Sequence, residues 1–236
     1  MARPMLWQQI ASNLAADIER GDYVPGDQLP TERVLAERFE VNRHTVRRAI
    51  QSLVEKGLIR SEQGRGTFVT DIVIEYLVSS RTRFAENVVA ADYDPSSKPV
   101  RVKTIPSPPA VARALVIDIG DPVILIETLG MADGHPVSLS AHYFSEARLS
   151  GIDQMYLQTQ SITQALYRLG VVDYFRESTA ITTRLPSRRE SRHLNQPISQ
   201  PILVAHSLNI DAAGRVIEYA EGRYAGLRVK MLVRPR

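Results

Sequence analysis

The sequence predicts an α+β protein built from two domains, and three observations support this fold class. The chain has 236 residues, more than the roughly 100–150 typical of one domain. Over the first seventy residues the apolar side chains recur every three or four positions, as in helices, and later segments alternate and turn like β-hairpins. We expect the first domain at residues 1–70, a connector at 71–78 and the second domain at 79–236.

The composition describes an ordinary core-forming protein, because 44% of the residues are hydrophobic and 23% are charged. The absence of cysteine excludes disulfides, thiolate metal sites and cysteine nucleophiles. A formal charge of +3 is modest, so any surface for nucleic acid must be local. The first residues lack the apolar run of a signal peptide and no later stretch is long enough to span a bilayer, so we expect a cytoplasmic protein.

Two helices are predicted in the first forty residues. The first has one apolar stripe at every fourth position, formed by Leu6, Ile10, Leu14 and Ile18. It ends at Gly21, before the turn-rich segment DYVPGDQLP. The second helix, TERVLAERF, begins after the capping residue Thr31, and Val34, Leu35 and Phe39 are expected to face the core.

The third predicted helix and the segment after it complete the first domain. Asn42 is a suitable N-cap for this helix, and Gly57 is expected to end it. Its buried stripe consists of Val46, Ala49, Ile50 and Leu53. The segment LIRSEQGRGTFV follows as two short strands around a glycine-rich tip. Helix, short turn, helix and hairpin give the outline of a winged helix-turn-helix.

The outward face of the third helix decides whether this outline indicates DNA binding. Arg43 and Arg47 lie four residues apart, as do His44 and Arg48, and all four are expected opposite the buried stripe. A single charged helix face is more often only a solvated surface. Here the charge has one sign and a Gly-Arg-Gly tip at residues 64–66 accompanies it, which favours DNA binding.

Three motifs in this segment are highly specific in combination: PGDQLPTER, VNRHTVRRAI in the third helix, and GRGTFV in the wing. With them, residues 6–69 resemble the GntR family of bacterial transcription regulators. The resemblance implies that Arg33 contacts a DNA phosphate from the start of the second helix. It also implies a major-groove set, Asn42, Arg43, His44, Thr45 and Arg47, and a wing at the minor groove, Gln63, Gly64 and Arg65.

The remaining sequence intersperses strands with short helices. Asp133-Gly134 is a strong hairpin signal between two strands. Hairpins with inserted helices indicate an α+β domain on a largely antiparallel sheet. The predicted strands lie within 99–106, 122–144, 175–185, 201–226 and 228–233, and the predicted helices are 108–117, 161–170 and 186–194.

The second domain carries no recognisable catalytic motif. Its histidines lack metal-ligand spacing, and the sequence has no G-x-S-x-G elbow, no Walker loop and no G-x-G-x-x-G. We expect His142 and His206 to be packed or surface residues rather than catalytic ones. The prediction is therefore a protein that is not an enzyme and uses neither a cofactor nor a metal.

The second half contains RTRFAENV, VILIETLGMADGHPVSLSAHYF, SITQALYRLGVVDYFRES and RHLNQPISQPILVAHSLNIDAAGRVIEY, in that order. With these segments, residues 79–236 resemble the effector-binding UTRA domain of the HutC branch of the GntR family, whose fold is similar to chorismate lyase. Within that branch they look most like regulators of phosphonate metabolism. The resemblance implies a small anionic effector, a phosphonate or phosphate ester. A sugar phosphate or another small anion is the alternative effector, and a chorismate-lyase-like enzyme with a DNA-binding head is a remote alternative function.

The resemblance also implies where the effector binds. The loop that opens the domain would surround the anion, and the positions carried over from it are Thr82, Arg83, Phe84 and Ala85. Ser161 begins a predicted helix, where its hydroxyl and the neighbouring N–H groups can hold an anion. Glu218 and Tyr224 match positions that contact polar groups of the ligand in relatives. Glu218 would suit a ligand amine, but it could equally face water.

One departure from the sugar-phosphate relatives concerns charge. Those relatives place arginines in the strand where this chain has Thr128 and Gly130. The positive side chains that bind an anion must therefore come from other parts of the chain. The candidates are Arg81, Arg83, Arg176 and Arg223. Each of these arginines, taken alone, could equally be a solvated charge.

The implied mechanism is ligand-relieved repression by a homodimer on a double-stranded, near-palindromic operator. Two recognition helices would enter successive major grooves, about 34 Å apart. Ligand closure of the 79–88 loop would then reorient the two DNA-reading heads.

Overall fold

The computed structural model describes residues 5–24, 26–56, 58–70, 73–196, 198–226 and 228–234, and the chain divides into two units. The first unit is Met1–Ile72 and the second is Val73–Arg236. Gly57, the predicted end of the third helix, lies outside the described residues. In the part of the predicted connector that is described, residues 74–78 form a strand that belongs to the second unit.

The first unit consists of three helices and a hairpin. Its elements are α1 (Leu6–Arg20), α2 (Glu32–Arg38), α3 (Arg43–Glu55), β1 (Ile59–Glu62) and β2 (Gly66–Val69). The two strands pair antiparallel. One core joins all five elements, and its buried side chains include Ile10, Leu14, Leu35, Leu53 and Val69. The winged helix-turn-helix predicted from periodicity and caps is the architecture observed.

Two core assignments in this unit were wrong. Leu6 is 60% exposed, because the next residue, Trp7, and Ile10 are the first side chains of α1 that pack against the core. Val34 is 39% exposed, because Leu35, the next residue round the short helix α2, takes the position that faces the core. Neither error affects the predicted DNA-binding face, which lies on α3.

The second unit is an antiparallel sheet with short helices, so the predicted fold class is confirmed. Its strands are β3 (Ile74–Val78), β4 (Pro95–Pro106), β5 (Pro122–Ala132), β6 (His135–Ser145), β7 (Tyr174–Arg184), β8 (Ile202–Asp211), β9 (Val216–Ala225) and β10 (Val229–Val233). Its helices are α4 (Phe84–Val89), α5 (Pro109–Leu115), α6 (Glu146–Leu149), α7 (Ile152–Thr159), α8 (Ile162–Arg168) and α9 (Arg188–Leu194).

Six strands form the main sheet in the order β4-β5-β6-β9-β8-β7, with antiparallel neighbours throughout. The predicted hairpin joins β5 to β6, and Asp133 (φ 47°) and Gly134 (φ 77°) both adopt the left-handed backbone of a tight two-residue turn. Strand β3, which follows the first unit along the chain, instead pairs parallel with β10. No described helix combines the length and apolar character needed to cross a membrane.

Candidate functional site

The start of α3 is fixed by a side-chain cap. Asn42 Oδ1 accepts a hydrogen bond from the Thr45 backbone N–H at 2.9 Å and another from the Thr45 hydroxyl at 3.0 Å. This cap satisfies a free donor of the first turn and leaves Arg43 and His44 exposed. Thr45 is half-buried, and its hydroxyl is directed back to the cap.

The exposed side of α3 carries the predicted basic residues, but they have different neighbours. Arg47 is exposed and pairs with Glu32 of α2. The Arg48 guanidinium carbon lies 4.7 Å from the centre of the Trp7 ring, so this side chain covers α1. Arg33, on α2, is exposed and pairs with Glu37 one turn later at 2.7 Å. Both arginines are exposed, and ion pairs at a protein surface contribute little to stability.

The tip of the β1–β2 hairpin is exposed from Gln63 to Gly66. Gln28 Nε2 donates to the Arg65 carbonyl oxygen at 2.8 Å, which fixes the backbone of the tip. A Cβ atom on Gly66 would lie 2.4 Å from that Gln28 nitrogen, and the φ of Gly66 is +123°, so glycine is required there. Arg65 pairs with Glu62 while most of its side chain remains in solvent.

The second unit contains a cavity of about 260 Å³ between the sheet, strand β3 and the loop that opens the unit. The structure brings eight of the ten predicted effector residues to its wall: Thr82, Arg83, Phe84, Ala85, Ser161, Arg176, Glu218 and Tyr224. They come from four separate segments of the chain, at residues 82–85, 161, 176 and 218–224, which the fold brings to one cavity.

Arg83 and Arg176 bring positive charge to the cavity. Arg83 donates to the carbonyl oxygens of Thr82 and Tyr174, both at 3.2 Å, and lies over the Tyr174 ring at 3.8 Å. Arg176 donates to Asn209 Oδ1 at 2.8 Å and to Ser207 Oγ at 2.7 Å. Within the described chain, neither guanidinium forms an ion pair with a carboxylate, so both retain charge for an anion.

Glu218 is the buried carboxylate of the cavity wall and is 3% exposed. Its Oε1 lies 2.5 Å from His142 Nδ1, and its Oε2 accepts from Asn209 Nδ2 at 2.5 Å. Burial alone would raise the pKa of Glu218, but the hydrogen bonds from His142 and Asn209 and the charge of Arg176 lower it below the ordinary value. The carboxylate is therefore ionised at neutral pH.

Several lining residues have local structural roles. The Thr82 hydroxyl accepts from the Ser79 N–H and donates to the Ser79 carbonyl, both at 2.7 Å, so it closes the loop on itself. The Ser161 hydroxyl caps the seven-residue helix α8 through the Gln164 N–H. These bonds hold the cavity wall in shape.

Aromatic side chains form another part of the cavity wall. The rings of Tyr76 and Tyr224 lie 5.1 Å apart, and burial raises the pKa of both phenols. Phe84 packs against Gly130, where a Cβ atom would lie 2.6 Å from the Phe84 ring. This contact leaves no space for a side chain at residue 130.

The structure does not bring Arg81 and Arg223 to the cavity. Arg81 forms a two-pronged pair with Asp173, at 2.8 and 2.9 Å, outside the lining. Arg223 lies between the lining residues Gly222 and Tyr224 on β9, so strand alternation directs it to the opposite face. There its Nε lies 3.1 Å from carboxylates of Glu190 and Glu221.

Sequence reasoning missed important lining residues. His142 was expected to be packed or on the surface, yet it lines the cavity and binds Glu218. Asn209 and Ser207 hold Arg176, and both lie on the same face of β8. Polar residues at every second position of these otherwise apolar strands were the available signal. Across the described residues, no cluster of histidine and acidic groups could hold a metal ion.

Comparison with known families agrees with this geometry. A model of bacterial regulatory proteins of the GntR family matches residues 6–69, and a model of the UTRA domain matches residues 90–230, more than half of the chain. This chain belongs to the GntR family of bacterial regulatory proteins. It is a ligand-responsive transcription regulator of the UTRA-containing HutC branch and not an enzyme.

Individual GntR-family relatives resemble the chain over most of its length. It is similar to the probable transcriptional regulator PhnF of Escherichia coli (strain K12), with 35% identity over 87% of this chain and 85% of that protein. It is 29% identical to the mannosyl-D-glycerate transport/metabolism system repressor MngR of the same strain, over 95% of this chain and 93% of MngR. The crystal structure of PhnF from Mycobacterium smegmatis has the same fold, with a TM-score of 0.64, 23% identity and coverage of 98% and 99%.

Proposed function

We propose that the protein is a homodimeric repressor of genes for phosphonate or organophosphate uptake and catabolism, released from its operator by a small phosphonate or phosphate-type effector. The observation that carries the effector class is the pair Arg83 and Arg176, which line one cavity and hydrogen-bond to neutral groups in the described chain. The positive charge of the two guanidinium groups exceeds the negative charge of the Glu218 carboxylate, so an anionic ligand group is needed to balance the charge of the cavity wall. Guanidinium also matches the oxygens of a phosphonate two at a time.

The size of the cavity supports a small effector. Its volume, about 260 Å³, is below the roughly 300–1,000 Å³ of sites for drug-sized ligands. The similarity to PhnF agrees with the phosphonate-type branch suggested by the sequence motifs. MngR is named for mannosyl-D-glycerate, so a sugar-derived anion is the rival effector.

For the DNA side, we propose that each subunit places α3 in the major groove and the hairpin tip at the minor groove. Support comes from the exposed Arg43, His44 and Arg47 on α3 and from Arg65 at the tip. A two-fold dimer would read two half-sites about 34 Å apart, which gives a near-palindromic operator.

The route from ligand to DNA is proposed to run along the chain through β3. Tyr76 of β3 lines the cavity, and β3 is the first strand after the DNA-binding unit. A ligand that fits one position of β3 better than another can shift the equilibrium between DNA-competent and incompetent states. Couplings of this kind are typically about 1–3 kcal/mol.

The decisive experiment is calorimetric titration of the full chain with alkylphosphonates, inorganic phosphate, phosphate esters, sugar phosphates and carboxylates. We expect binding of phosphonates or small phosphate esters, loss of that binding in Arg83→Ala, and retention in the matched control Arg81→Ala, whose guanidinium is paired outside the cavity. Preference for a sugar phosphate would support the sugar-derived effector instead of a phosphonate. Binding of carboxylates alone would overturn the proposed effector class.

Ligand release is tested separately, on an operator first selected from random duplex DNA with the full chain. An effector found by calorimetry should lower operator affinity for the wild type and leave it unchanged for Arg83→Ala. An increase of operator affinity with effector would contradict the repressor assignment.

A further inference from the structure

We propose that His142 accepts a hydrogen bond from a second group of the effector. The effector would then carry both an anionic group and an amine or hydroxyl group. The inference rests on the proposed function, because it adds a second contact in the same cavity. His142 lies on β6 and lines the cavity together with Thr128 of the neighbouring strand. It was not among the residues that the sequence or the family resemblance assigned to the effector.

Glu218 fixes the orientation of the His142 ring. Its Oε1 lies 2.5 Å from Nδ1, and an ionised carboxylate can only accept, so Nδ1 carries the proton. In the neutral imidazole, Nε2 is then the acceptor. Nε2 lies beside the Thr128 hydroxyl, at 3.5 Å, on the wall of the cavity.

The ligand is expected to meet His142 rather than Glu218. Each Glu218 oxygen already has a hydrogen-bond partner, His142 or Asn209, and only 4% of the Glu218 side chain is exposed, compared with 18% for His142. Glu218 is therefore a positioning residue, which acts through the imidazole and places a negative charge behind it. This arrangement suits an ammonium or a hydroxyl group of the ligand and disfavours a bare alkyl group.

Charge balance favours the same class of ligand. The lining holds two guanidinium groups, Arg83 and Arg176, and one carboxylate, Glu218. An aminoalkylphosphonate with a doubly ionised phosphonate and one ammonium would neutralise this set. A hydroxyalkylphosphonate would satisfy the His142 acceptor while leaving more negative charge in the cavity.

The test compares three probes of equal chain length, 2-aminoethylphosphonate, 2-hydroxyethylphosphonate and ethylphosphonate, by calorimetry on the full chain. In the wild type, at least one of the first two should bind at least tenfold more tightly than ethylphosphonate, and the better one identifies the donor. His142→Asn keeps a donor near the Nδ1 position for Glu218 and removes the atom at Nε2. This variant should reduce the preference to less than threefold and change ethylphosphonate affinity by less than threefold.

Two further variants separate recognition from folding. Glu218→Gln removes the charge that fixes the ring proton and should also reduce the preference. His206→Asn is the matched control, because His206 lies on the other face of the sheet, with Nδ1 bonded to the Tyr219 hydroxyl at 2.8 Å, and should keep the wild-type preference. Thermal melts confirm that each variant is folded.

The outcomes separate this inference from the proposed function. Equal binding of the three probes by the wild type, or an undiminished preference in His142→Asn, overturns the role of His142 and leaves the phosphonate effector standing. If none of the three probes binds the wild type, the phosphonate class fails and the inference fails with it.

Discussion

Arg47 of α3 and Glu32 of α2 form a two-pronged ion pair, with Nε 3.0 Å from Oε1 and Nη2 2.7 Å from Oε2. The pair joins the two helices of the helix-turn-helix while Arg47 remains 64% exposed. The hydrogen bond from Arg47 lowers the pKa of Glu32. An exposed pair of this kind contributes only about 0–1 kcal/mol to stability. The pair thus orients the Arg47 guanidinium against α2.

Replacing Arg43 or Arg47 by alanine should weaken specific operator binding by about 1–3 kcal/mol, roughly 5- to 150-fold, because each arginine is expected to hydrogen-bond a base edge. Fluorescence anisotropy on an operator selected with the wild-type chain measures this change in affinity. Arg192→Ala is the control, because Arg192 is exposed on α9 of the second unit. Wild-type operator affinity in both α3 variants would remove α3 from the DNA interface.

Glu32→Gln should raise affinity for random duplex DNA by about two- to fivefold, because it removes a negative charge beside the phosphates and frees Arg47. Selectivity for the operator over random DNA should fall, because the guanidinium loses its fixed direction. Binding to both DNAs at two salt concentrations measures the two effects. Weaker binding to random DNA would show that the carboxylate organises the interface instead of competing with it.

The DNA-binding unit could be predicted from sequence because its signals are local. Thr31 and Asn42 both cap their helices as expected, and the four-residue spacing of apolar side chains locates α1 and α3. The pairing of Arg47 with Glu32 was not foreseen, because it joins two helices whose relative placement no local pattern specifies.

The cavity was harder to predict because its wall is assembled across strands. His142 and Glu218 are 76 positions apart in the chain, and only the pairing of β6 with β9 brings them together. The alternation of side chains along β9 separates the residues that line the cavity from those that face away. Glu218 and Tyr224 lie an even number of residues apart and share a face, whereas Arg223 is out of step with both and faces away.

Gly130→Ala should displace Phe84 and reduce effector affinity at least tenfold. The new Cβ atom would lie 2.6 Å from the Phe84 ring and 2.4 Å from Ser138 Oγ, and relieving such overpacking typically costs about 1–3 kcal/mol. Calorimetry with the best-binding phosphonate measures the reduction. Adding Phe84→Leu should restore part of the affinity, because the smaller side chain makes room, and a purely additive double mutant would refute the contact as the cause.

Asn87→Ala should destabilise the second unit by about 1–3 kcal/mol. The Asn87 side chain accepts from the Leu77 N–H at 2.6 Å and donates to the Arg83 carbonyl at 2.9 Å. Alanine removes the side-chain acceptor of the partly buried Leu77 N–H, while the Arg83 carbonyl keeps its bond from the Asn87 backbone N–H at 3.2 Å. Urea unfolding of the full chain measures the change. Ser79→Ala is the control, since Ser79 is exposed and its hydroxyl accepts a long bond, 3.3 Å, from the Arg81 N–H. Equal stability of the two variants would argue against Asn87 as a clamp on β3.

The pH dependence of stability should include a contribution from Glu190. Its hydrogen bonds with Arg184, at 2.7 and 2.8 Å, together with the Ser187 N–H, lower its pKa from 4.5 to about 2. A carboxyl with a depressed folded-state pKa stabilises the fold above its unfolded pKa and loses that contribution as pH falls through the folded value. The contribution, about 1–3 kcal/mol at neutral pH after allowance for the exposed Arg184, should therefore disappear between about pH 4.5 and pH 2.

Glu190→Gln isolates this contribution, because glutamine can still accept from the Ser187 N–H at the start of α9 but carries no charge. Urea unfolding at pH 7, 4 and 2.5 should show a less stable variant at pH 7 and a difference from wild type that shrinks toward pH 2.5. A constant difference across this range would show that the stabilisation comes from packing, which does not depend on the ionisation of Glu190. A variant as stable as wild type at pH 7 would show that the Arg184 pair is fully offset by the cost of burying the carboxylate.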